Sequence, residues 1–258
     1  MVHPVKPNCW DDLPNGEILR QAVSEVMSSW VPRMFGYHLL KMGPLAADLP
    51  LQPSPIKHHF SMVDEVLGRD VYADVSAPLD VGTLLLGDYT HIPLQGASVD
   101  AVMMQLLLEF EDDPYRILRE TDRVLIAGGY LFIVGINPLS PAFIGKLLPK
   151  YQTQLPWSGR LFMPSRVRDW LGLLGYQVVC DERRVYHSLI GKLAKVSIWQ
   201  DALAAWLPSA GCVYIIGARK LESPLTPVQE KRKVRQPQWS TAPTAGRAPH
   251  SKIPSSES

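Results

Sequence analysis

The chain has 258 residues, a formal net charge of +1 at pH 7, and a composition of 46% hydrophobic and 20% charged residues. This length allows a full hydrophobic core, and the composition is ordinary for a soluble globular protein. The balanced charge argues against a general polyanion binder, and no run approaches the roughly 20 consecutive apolar residues that span a bilayer.

The N-terminal segment has no apolar signal core, and the three cysteines, Cys9, Cys180 and Cys212, are widely spaced without a CxxC pair. Cysteines with this spacing are typical of reduced thiols and not of a disulfide framework or a zinc site. We therefore expect a cytoplasmic protein.

An amphipathic helix is predicted for Asn15–Trp30, and Pro32 ends it because proline lacks the amide donor that a helix needs. The apolar residues on its buried face are Ile18, Leu19, Ala22, Val23, Val26, Met27 and Trp30. A helix that covers a sheet and a lid over a ligand are both consistent with this pattern.

The first two strands are predicted at Phe35–Met42, which Gly43 closes, and at Ile56–Met62. The prolines that separate the two strands leave no place for a full connecting helix. His58 and His59 are adjacent and would point to opposite faces of a strand. With no third ligand at a suitable spacing nearby, no metal site is predicted.

The central segment contains three apolar runs, Thr83–Leu86, Val99–Met104 and Tyr130–Ile136, which are apolar almost throughout. Strands that do not alternate between apolar and polar residues are typical of a parallel sheet covered on both faces. A helix between the last two runs is predicted to start at the N-cap Asp113 and to stop at Gly128 and Gly129. Its buried face would carry Ile117, Leu118, Thr121, Val124 and Leu125.

Residues 141–164 form an aromatic loop, interpreted either as a surface excursion or as a cover over a substrate. Beyond it, Ser165 is predicted to cap a helix that Gly175 stops, with Val167, Trp170, Leu171 and Leu174 buried. The remaining predicted elements are a strand at Tyr176–Cys180, a helix at Trp199–Leu207 and a strand at Cys212–Ala218.

The last 38 residues carry six prolines and few large apolar residues. Such a segment buries too little apolar area to offset its ordering entropy, so 221–258 is predicted to be disordered. Its basic run, Lys231–Arg235, indicates contact with nucleic acid or an acidic partner, whereas a solvated tail is the simpler interpretation.

Several motifs of the central segment occur in a known order. Asp88 follows a strand, His91–Leu94 reads HIPL, Val99–Val102 reads VDAV, Leu108–Pro114 reads LEFEDDP, and Leu118–Tyr130 reads LRETDRVLIAGGY. This series resembles the class I S-adenosylmethionine-dependent methyltransferases of the type-11 kind, which carry an acid after the third strand and then a series similar to FDVV, LHHxxDP and LREIxRVLKPGG.

The resemblance implies an α/β Rossmann-like fold, with a mostly parallel seven-stranded sheet, an antiparallel last strand, and helices on both faces. It also implies a methyltransferase-like domain at 13–220, between an irregular lead at 1–12 and the tail at 221–258.

S-adenosylmethionine is the cofactor that the resemblance implies. Gly43 would begin the loop that cradles it, and Asp88 would accept a hydrogen bond from the adenine amine. Tyr89 would lie beside the adenine ring, while Met104 and Gln105 would form the floor below the methionine and the sulfonium.

The implied activity is methyl transfer to an unidentified acceptor, expected to be a small molecule. Such a displacement depends mainly on holding the donor and acceptor in line, so no obligatory catalytic residue is expected. Glu109 stands where the family commonly has histidine, and its carboxylate would attract the sulfonium or act as a base.

The loop Lys41–Ala47 departs from the family pattern, because it keeps only the first glycine and has no acid before it. The alternative function is therefore a non-catalytic scaffold or partner protein that has lost cofactor binding.

Overall fold

The computed structural model describes residues 6–46, 49, 51, 54–64, 83–141, 143–186, 189 and 206–221. All of them lie in the unit that spans Met1–Ser223. The strands are β1 (His38–Met42), β2 (His58–Val63), β3 (Thr83–Leu86), β4 (Val99–Gln105), β5 (Leu125–Ile136), β6 (Tyr176–Arg184) and β7 (Val213–Lys220). The helices are α1 (Gly16–Trp30), α2 (Pro114–Val124), α3 (Phe143–Leu147) and α4 (Pro164–Leu173).

The strands form one seven-stranded sheet in the order β3-β2-β1-β4-β5-β7-β6. All pairs from β3 to β5 are parallel, and β7 runs antiparallel to both β5 and β6. The Rossmann-like fold predicted from the sequence, with an antiparallel last strand, is confirmed.

Helices cover both faces of this sheet, because alternate residues of the central strands enter two different apolar clusters. On β5, Phe132 and Val134 pack with residues of α1, while Leu131 and Ile133 pack with residues of α2 and α4. Strands buried on both faces explain why the sequence shows continuous apolar runs and no alternation.

Helix α1 lies where the apolar periodicity predicts it, and Leu19, Val23, Val26 and Met27 are buried. Ile18 was expected on the same face but is 42% exposed, so the buried stripe is narrower than predicted.

Strand β1 is shorter than predicted, because Phe35 and Tyr37 are 76% and 81% exposed and precede it. Its start is fixed by Asp100 of the neighbouring strand, whose Oδ2 atom accepts hydrogen bonds from the backbone N–H groups of Tyr37 and His38 at 2.9 Å each. The carboxylate thus joins two strands that are distant in sequence.

The predicted helix stop at Gly128 and Gly129 is wrong. Helix α2 ends at Val124, and β5 begins at once with the buried Leu125. The two glycines lie in an irregularity between the pairs Val99–Leu125 and Ala101–Tyr130, where Gly128 has φ +78°. Pairing with β4 here overrides the local helix signal.

Helix α4 begins at Pro164 with Met163 as its N-cap, so the predicted capping role of Ser165 is wrong. Gly175, with φ +81°, follows the helix as predicted. The strand predicted at Tyr176–Cys180 continues to Arg184. The segment predicted as an aromatic loop contains the short helix α3.

Other predictions fall on residues that the structure does not describe. They concern most of the helix proposed for 199–207, and all but the first residue of the tail at 221–258 with its basic run. Among the described helices, none is long and apolar enough to cross a membrane.

Replacing Asp100 with alanine should lower the free energy of unfolding by about 1–2 kcal/mol, because two backbone N–H groups lose a charged acceptor. Urea denaturation measures this change. The matched control is Asp169→Ala on the exposed side of α4, which should change stability far less. Equal effects of the two substitutions would show that Asp100 does not hold β1.

Candidate cofactor and acceptor site

The carboxyl ends of the parallel strands meet at one edge of the sheet. Gly43 follows β1, Asp64 follows β2, Asp88 comes soon after β3, and Gln105 ends β4. The strand order reverses between β1 and β4, and in open α/β sheets ligands bind outside the carboxyl ends at such a reversal.

Gly43 makes the tight turn out of β1 with φ +111°. A Cβ atom there would lie 2.5 Å from the backbone oxygen of Gln105 and 3.2 Å from Cβ of Leu107. Only glycine fits this conformation and this space. Leu45, at the position of the second glycine in the family pattern, is fully buried.

Gln105 and Met104 end β4 and are both fully buried. Met104 pairs in register with Met42 and packs in the cluster that contains α2 and α4 residues. The side-chain amide of Gln105 has no hydrogen-bond partner for either its oxygen or its nitrogen in the described part of the chain. Buried amides are normally hydrogen-bonded, so the described residues leave both polar atoms of this side chain unsatisfied.

Asp88 is exposed, and its carboxylate is already engaged locally. It accepts hydrogen bonds from the backbone N–H and the hydroxyl of Thr90, both at 2.7 Å, and lies 3.1 Å from Nδ1 of His91. The adenine contact assigned to Asp88 stays a prediction, and a carboxylate retains capacity for a further donor.

Tyr89 is buried, and its hydroxyl donates to the backbone oxygen of Met62 at 3.4 Å. Burial raises the pKa of Tyr89, and the neighbouring carboxylates of Glu111 and Asp64 raise it further. The ring therefore lies among the strand ends, and its place beside an adenine ring stays a prediction.

Lys6 of the N-terminal lead forms ion pairs with two carboxylates at this edge of the sheet. Its Nζ atom lies 3.0 Å from Oδ2 of Asp64 and 2.6 Å from Oε1 of Glu111, and all three side chains are at most one-third exposed. Asp64 directly follows β2, so the ammonium lies against a carboxylate at the carboxyl end of that strand.

The lead is anchored close to this bridge. Trp10, in the helical turn Trp10–Asp12, is only 2% exposed, and it packs in the same cluster as Leu45 and Leu49. No local sequence pattern indicates this role for Lys6, because its partner Glu111 lies far along the chain.

Glu109 lies in the turn after β4 and is 1% exposed. Its Oε1 atom accepts hydrogen bonds from the backbone N–H of Ile136 at 3.1 Å and from the hydroxyl of Tyr214 at 3.5 Å. Its Oε2 atom has no partner among the described residues. Burial raises the pKa of Glu109 to about 7.

Gly135 makes room for this carboxyl group. A Cβ atom at Gly135 would collide with both the hydroxyl of Tyr214 and Oε1 of Glu109. Only glycine at position 135 leaves space for the Glu109 carboxyl and the Tyr214 hydroxyl. The local structure at the ends of β4, β5 and β7 therefore accommodates the acid.

The segment after β5 lies over Glu109. The backbone N–H of Arg160 donates to the backbone oxygen of Glu109 at 2.7 Å, and Nζ of Lys146 donates to the oxygen of Gly159 at 2.9 Å. Trp157 is buried and packs against Tyr151. The alternative of a cover is consistent with these contacts.

His38 and His58 lie at the opposite edge of the sheet from Asp88. Nδ1 of His58 is 2.8 Å from Nδ1 of His38, because the two residues are paired at the amino ends of β2 and β1. Within the described ranges, no three His, Cys, Asp or Glu side chains are grouped to hold a metal ion.

Comparisons with known proteins identify the class. Residues 62–133 match the family described as methyltransferase domain. A methyltransferase from Haloferax volcanii, solved in complex with the activator Trm112, superposes with a TM-score of 0.57 at 15% identity over 81% of this chain and 93% of that chain. A Thermotoga maritima protein described as a S-adenosylmethionine-dependent methyltransferase, possible histamine N-methyltransferase, gives 0.55 at 19% identity over 79% and 90%.

The chain belongs to the class I S-adenosylmethionine-dependent methyltransferase family, as its motifs predicted. Its sequence is 35% identical to that of YafS from Escherichia coli (strain K12) over 238 residues. The match spans 90% of this chain and 89% of YafS.

Replacing Glu109 with glutamine should change how stability depends on pH. The folded pKa of about 7 lies above the ordinary value of 4.5, so the native protein loses stability as pH rises between these values and the glutamine variant does not. Relative to the wild-type protein, the unfolding free energy of the variant should therefore increase by roughly 3 kcal/mol between pH 4 and pH 8.

Urea denaturation across this pH range measures the shift. The surface substitution Glu25→Gln on α1 is the control, because it makes the same chemical change at an exposed position away from the buried acid. A pH-independent difference between the wild-type protein and Glu109→Gln would show that Glu109 is not buried as described.

Replacing Lys6 with methionine should destabilise the protein by about 1–3 kcal/mol at pH 8, because it leaves Asp64 and Glu111 close together without a cation. Burial already raises the pKa of Glu111, so at pH 5 the loss should be smaller. A double-mutant cycle with Glu111→Gln isolates the pair. Strictly additive effects would contradict the bridge.

Proposed function

We propose that the protein is a cytoplasmic S-adenosylmethionine-dependent methyltransferase that acts on a small-molecule acceptor. S-adenosylmethionine supplies a methyl group on positively charged sulfur, which is an activated leaving group. The protein then needs chiefly to orient two molecules and exclude water. Family membership supports this proposal, and three widely spaced cysteine thiols, two of them buried, are in keeping with a reducing compartment.

The observation that carries the proposal is the side-chain amide of Gln105, which has no hydrogen-bond partner among the described residues. It is fully buried at the end of β4, next to the turn at Gly43, where the strand order reverses. A buried amide without partners costs the desolvation free energy of its polar atoms, and a polar ligand at this edge would recover it. The methionine part of the cofactor has an ammonium and a carboxylate that match an amide oxygen and nitrogen.

The other assigned residues would act around this amide. Gly43 would let the backbone approach the cofactor, and Met104 would help to keep the floor of the site apolar. Asp88 would accept from the adenine amine, and Tyr89 would lie beside the base. The carboxylate of Asp64 would hold the ribose once Lys6 has moved away from it.

A non-catalytic role is the second candidate, and particular contacts favour it. Leu45 and Leu49 are fully buried around the turn after β1, and Tyr89 occupies space among the strand ends. The bridge from Lys6 to Asp64 also closes the edge in this state. A scaffold that had lost its cofactor would fill its site in this way.

Calorimetric titration with S-adenosylmethionine and S-adenosylhomocysteine separates the two candidates. The methyltransferase proposal expects one-to-one binding with a micromolar dissociation constant. Absence of heat and of thermal stabilisation at millimolar ligand would reject it, because a ligand well above its dissociation constant stabilises the native state.

Replacing Gln105 with leucine should weaken cofactor binding at least tenfold, since a charged ligand loses its hydrogen bonds and that loss amounts to about 1.5–3 kcal/mol. The same titration measures it. The control is Gln177→Leu on the exposed side of β6, which makes the same chemical change away from the edge. Unchanged affinity in Gln105→Leu would remove Gln105 from the site.

Replacing Asp88 with alanine should weaken binding less, by about 0.5–1.5 kcal/mol, because its carboxylate is exposed and water screens the interaction. Comparison of adenosine with inosine as competing ligands tests the contact itself, since inosine lacks the exocyclic amine. If Asp88→Ala weakened the binding of adenosine and of inosine equally, the adenine assignment would be contradicted.

A further inference from the structure

One carboxyl oxygen of Glu109 has no hydrogen-bond partner among the described residues. Its Oε1 atom is held by two donors, from Ile136 and Tyr214, whereas its Oε2 atom has none. The carboxyl is 1% exposed, and Gly135 leaves the space that it occupies.

We propose that Glu109 is the proton acceptor for a cationic amine substrate, which binds through Oε2. This inference rests on the proposed methyltransferase function and names the acceptor class of the same site. The turn after β4 and the end of β5 lie beyond the strand ends assigned to the cofactor, so an acceptor held there would approach from the far side.

The chemistry balances with one proton transfer. The ammonium group of the substrate gives one proton to Oε2, which frees the lone pair on nitrogen. That lone pair forms the new N–C bond to the methyl carbon, the C–S bond breaks, and its electron pair stays on sulfur. The proton later leaves Glu109 for water. The sulfonium is the only co-reactant that this step requires.

The charges around Glu109 favour a cation over a neutral phenol or alcohol. From β7 it faces the hydroxyl of Tyr214, which burial keeps neutral. The guanidinium of Arg183 on β6 lies 5.8 Å from the centre of the Tyr214 ring and pairs with Asp181. A substrate ammonium would supply both the missing donor and the missing positive charge.

The segment after β5 contacts Glu109 through backbone atoms and not through a charged side chain. Arg160 donates its backbone N–H to the backbone oxygen of Glu109, and its guanidinium donates to the backbone oxygen of Asp112. The ammonium of Lys146 donates to the oxygen of Gly159. In this state the segment after β5 covers the carboxyl of Glu109. An amine would therefore reach Oε2 when this segment moves.

The first test is binding of amines and of the alcohols with the same carbon skeleton, such as 2-phenylethylamine and 2-phenylethanol, within a panel of primary and secondary amines. At pH 8.5 the wild-type protein should bind amines of suitable size at least tenfold more tightly than their alcohols. Glu109→Gln should abolish this preference, and the surface control Glu25→Gln should keep it. An absence of preference in the wild-type protein would overturn the proposal.

The second test is methyl transfer to the amines with labelled S-adenosylmethionine. The rate should rise with pH to a midpoint near 7, and alkylamines remain protonated through this range. Glu109→Gln should lower the rate at least 100-fold and remove the midpoint, since proton transfer by a positioned group is worth about 10²–10⁴ in rate.

Tyr214→Phe is the second variant, in case Glu109→Gln does not fold. Loss of the hydroxyl donor should raise the pKa of Glu109, because that hydrogen bond favours the ionised form. The midpoint of the rate should therefore move to higher pH in this variant. An unchanged pH profile would overturn the role of Glu109 as the proton acceptor.

Cofactor titration of the same variants separates the two levels of the proposal. Normal S-adenosylmethionine binding by Glu109→Gln, with amine preference and transfer lost, supports both. Normal binding with amine preference and transfer retained overturns the role of Glu109 alone. No binding of S-adenosylmethionine by the wild-type protein overturns the proposed function, and the amine proposal with it.

Discussion

The sheet reverses its strand order between β1 and β4. At this junction the backbone of Gly43 packs closely against the end of β4. Any side chain at Gly43 would meet the backbone at the end of β4. The two halves of the sheet extend outward from this contact, so it sets where both of them end at the ligand edge. The groups discussed for methyl transfer, from Asp64 on one side to Glu109 on the other, take their positions from this junction.

Charged groups near β2 and two buried polar side chains near the end of β4 differ in their pairing. Near β2 the charges are paired, because Lys6 lies between Asp64 and Glu111. At and after the end of β4, Gln105 and Glu109 each keep side-chain atoms with no hydrogen-bond partner among the described residues. Each such group costs about 1–3 kcal/mol relative to a hydrogen-bonded one, and a chain retains this cost most readily where a ligand completes the bonding.

The sequence predicted the fold well, because continuous apolar runs and helix signals are local features that survive in the folded chain. It failed where a distant contact overrides a local preference: the glycines after α2 read as a helix stop, but pairing with β4 places them in a strand. The bridge from Lys6 could not be predicted, since nothing near Lys6 indicates a partner more than a hundred residues away. Gln105 was named by resemblance, but only the structure shows that its amide is buried and has no partner in the described ranges of the chain.

The last strand in the sequence does not lie at the edge of the sheet. β7 is inserted between β5 and β6 and pairs with both along nearly its full length. During synthesis, β5 therefore exposes an unpaired apolar edge until the chain has been extended past residue 220, and exposed strand edges promote aggregation. β6 has no neighbour in the sheet until then. The domain should thus fold late and as a whole, and a ribosome that stalls before β7 would release a chain whose sheet is divided in two.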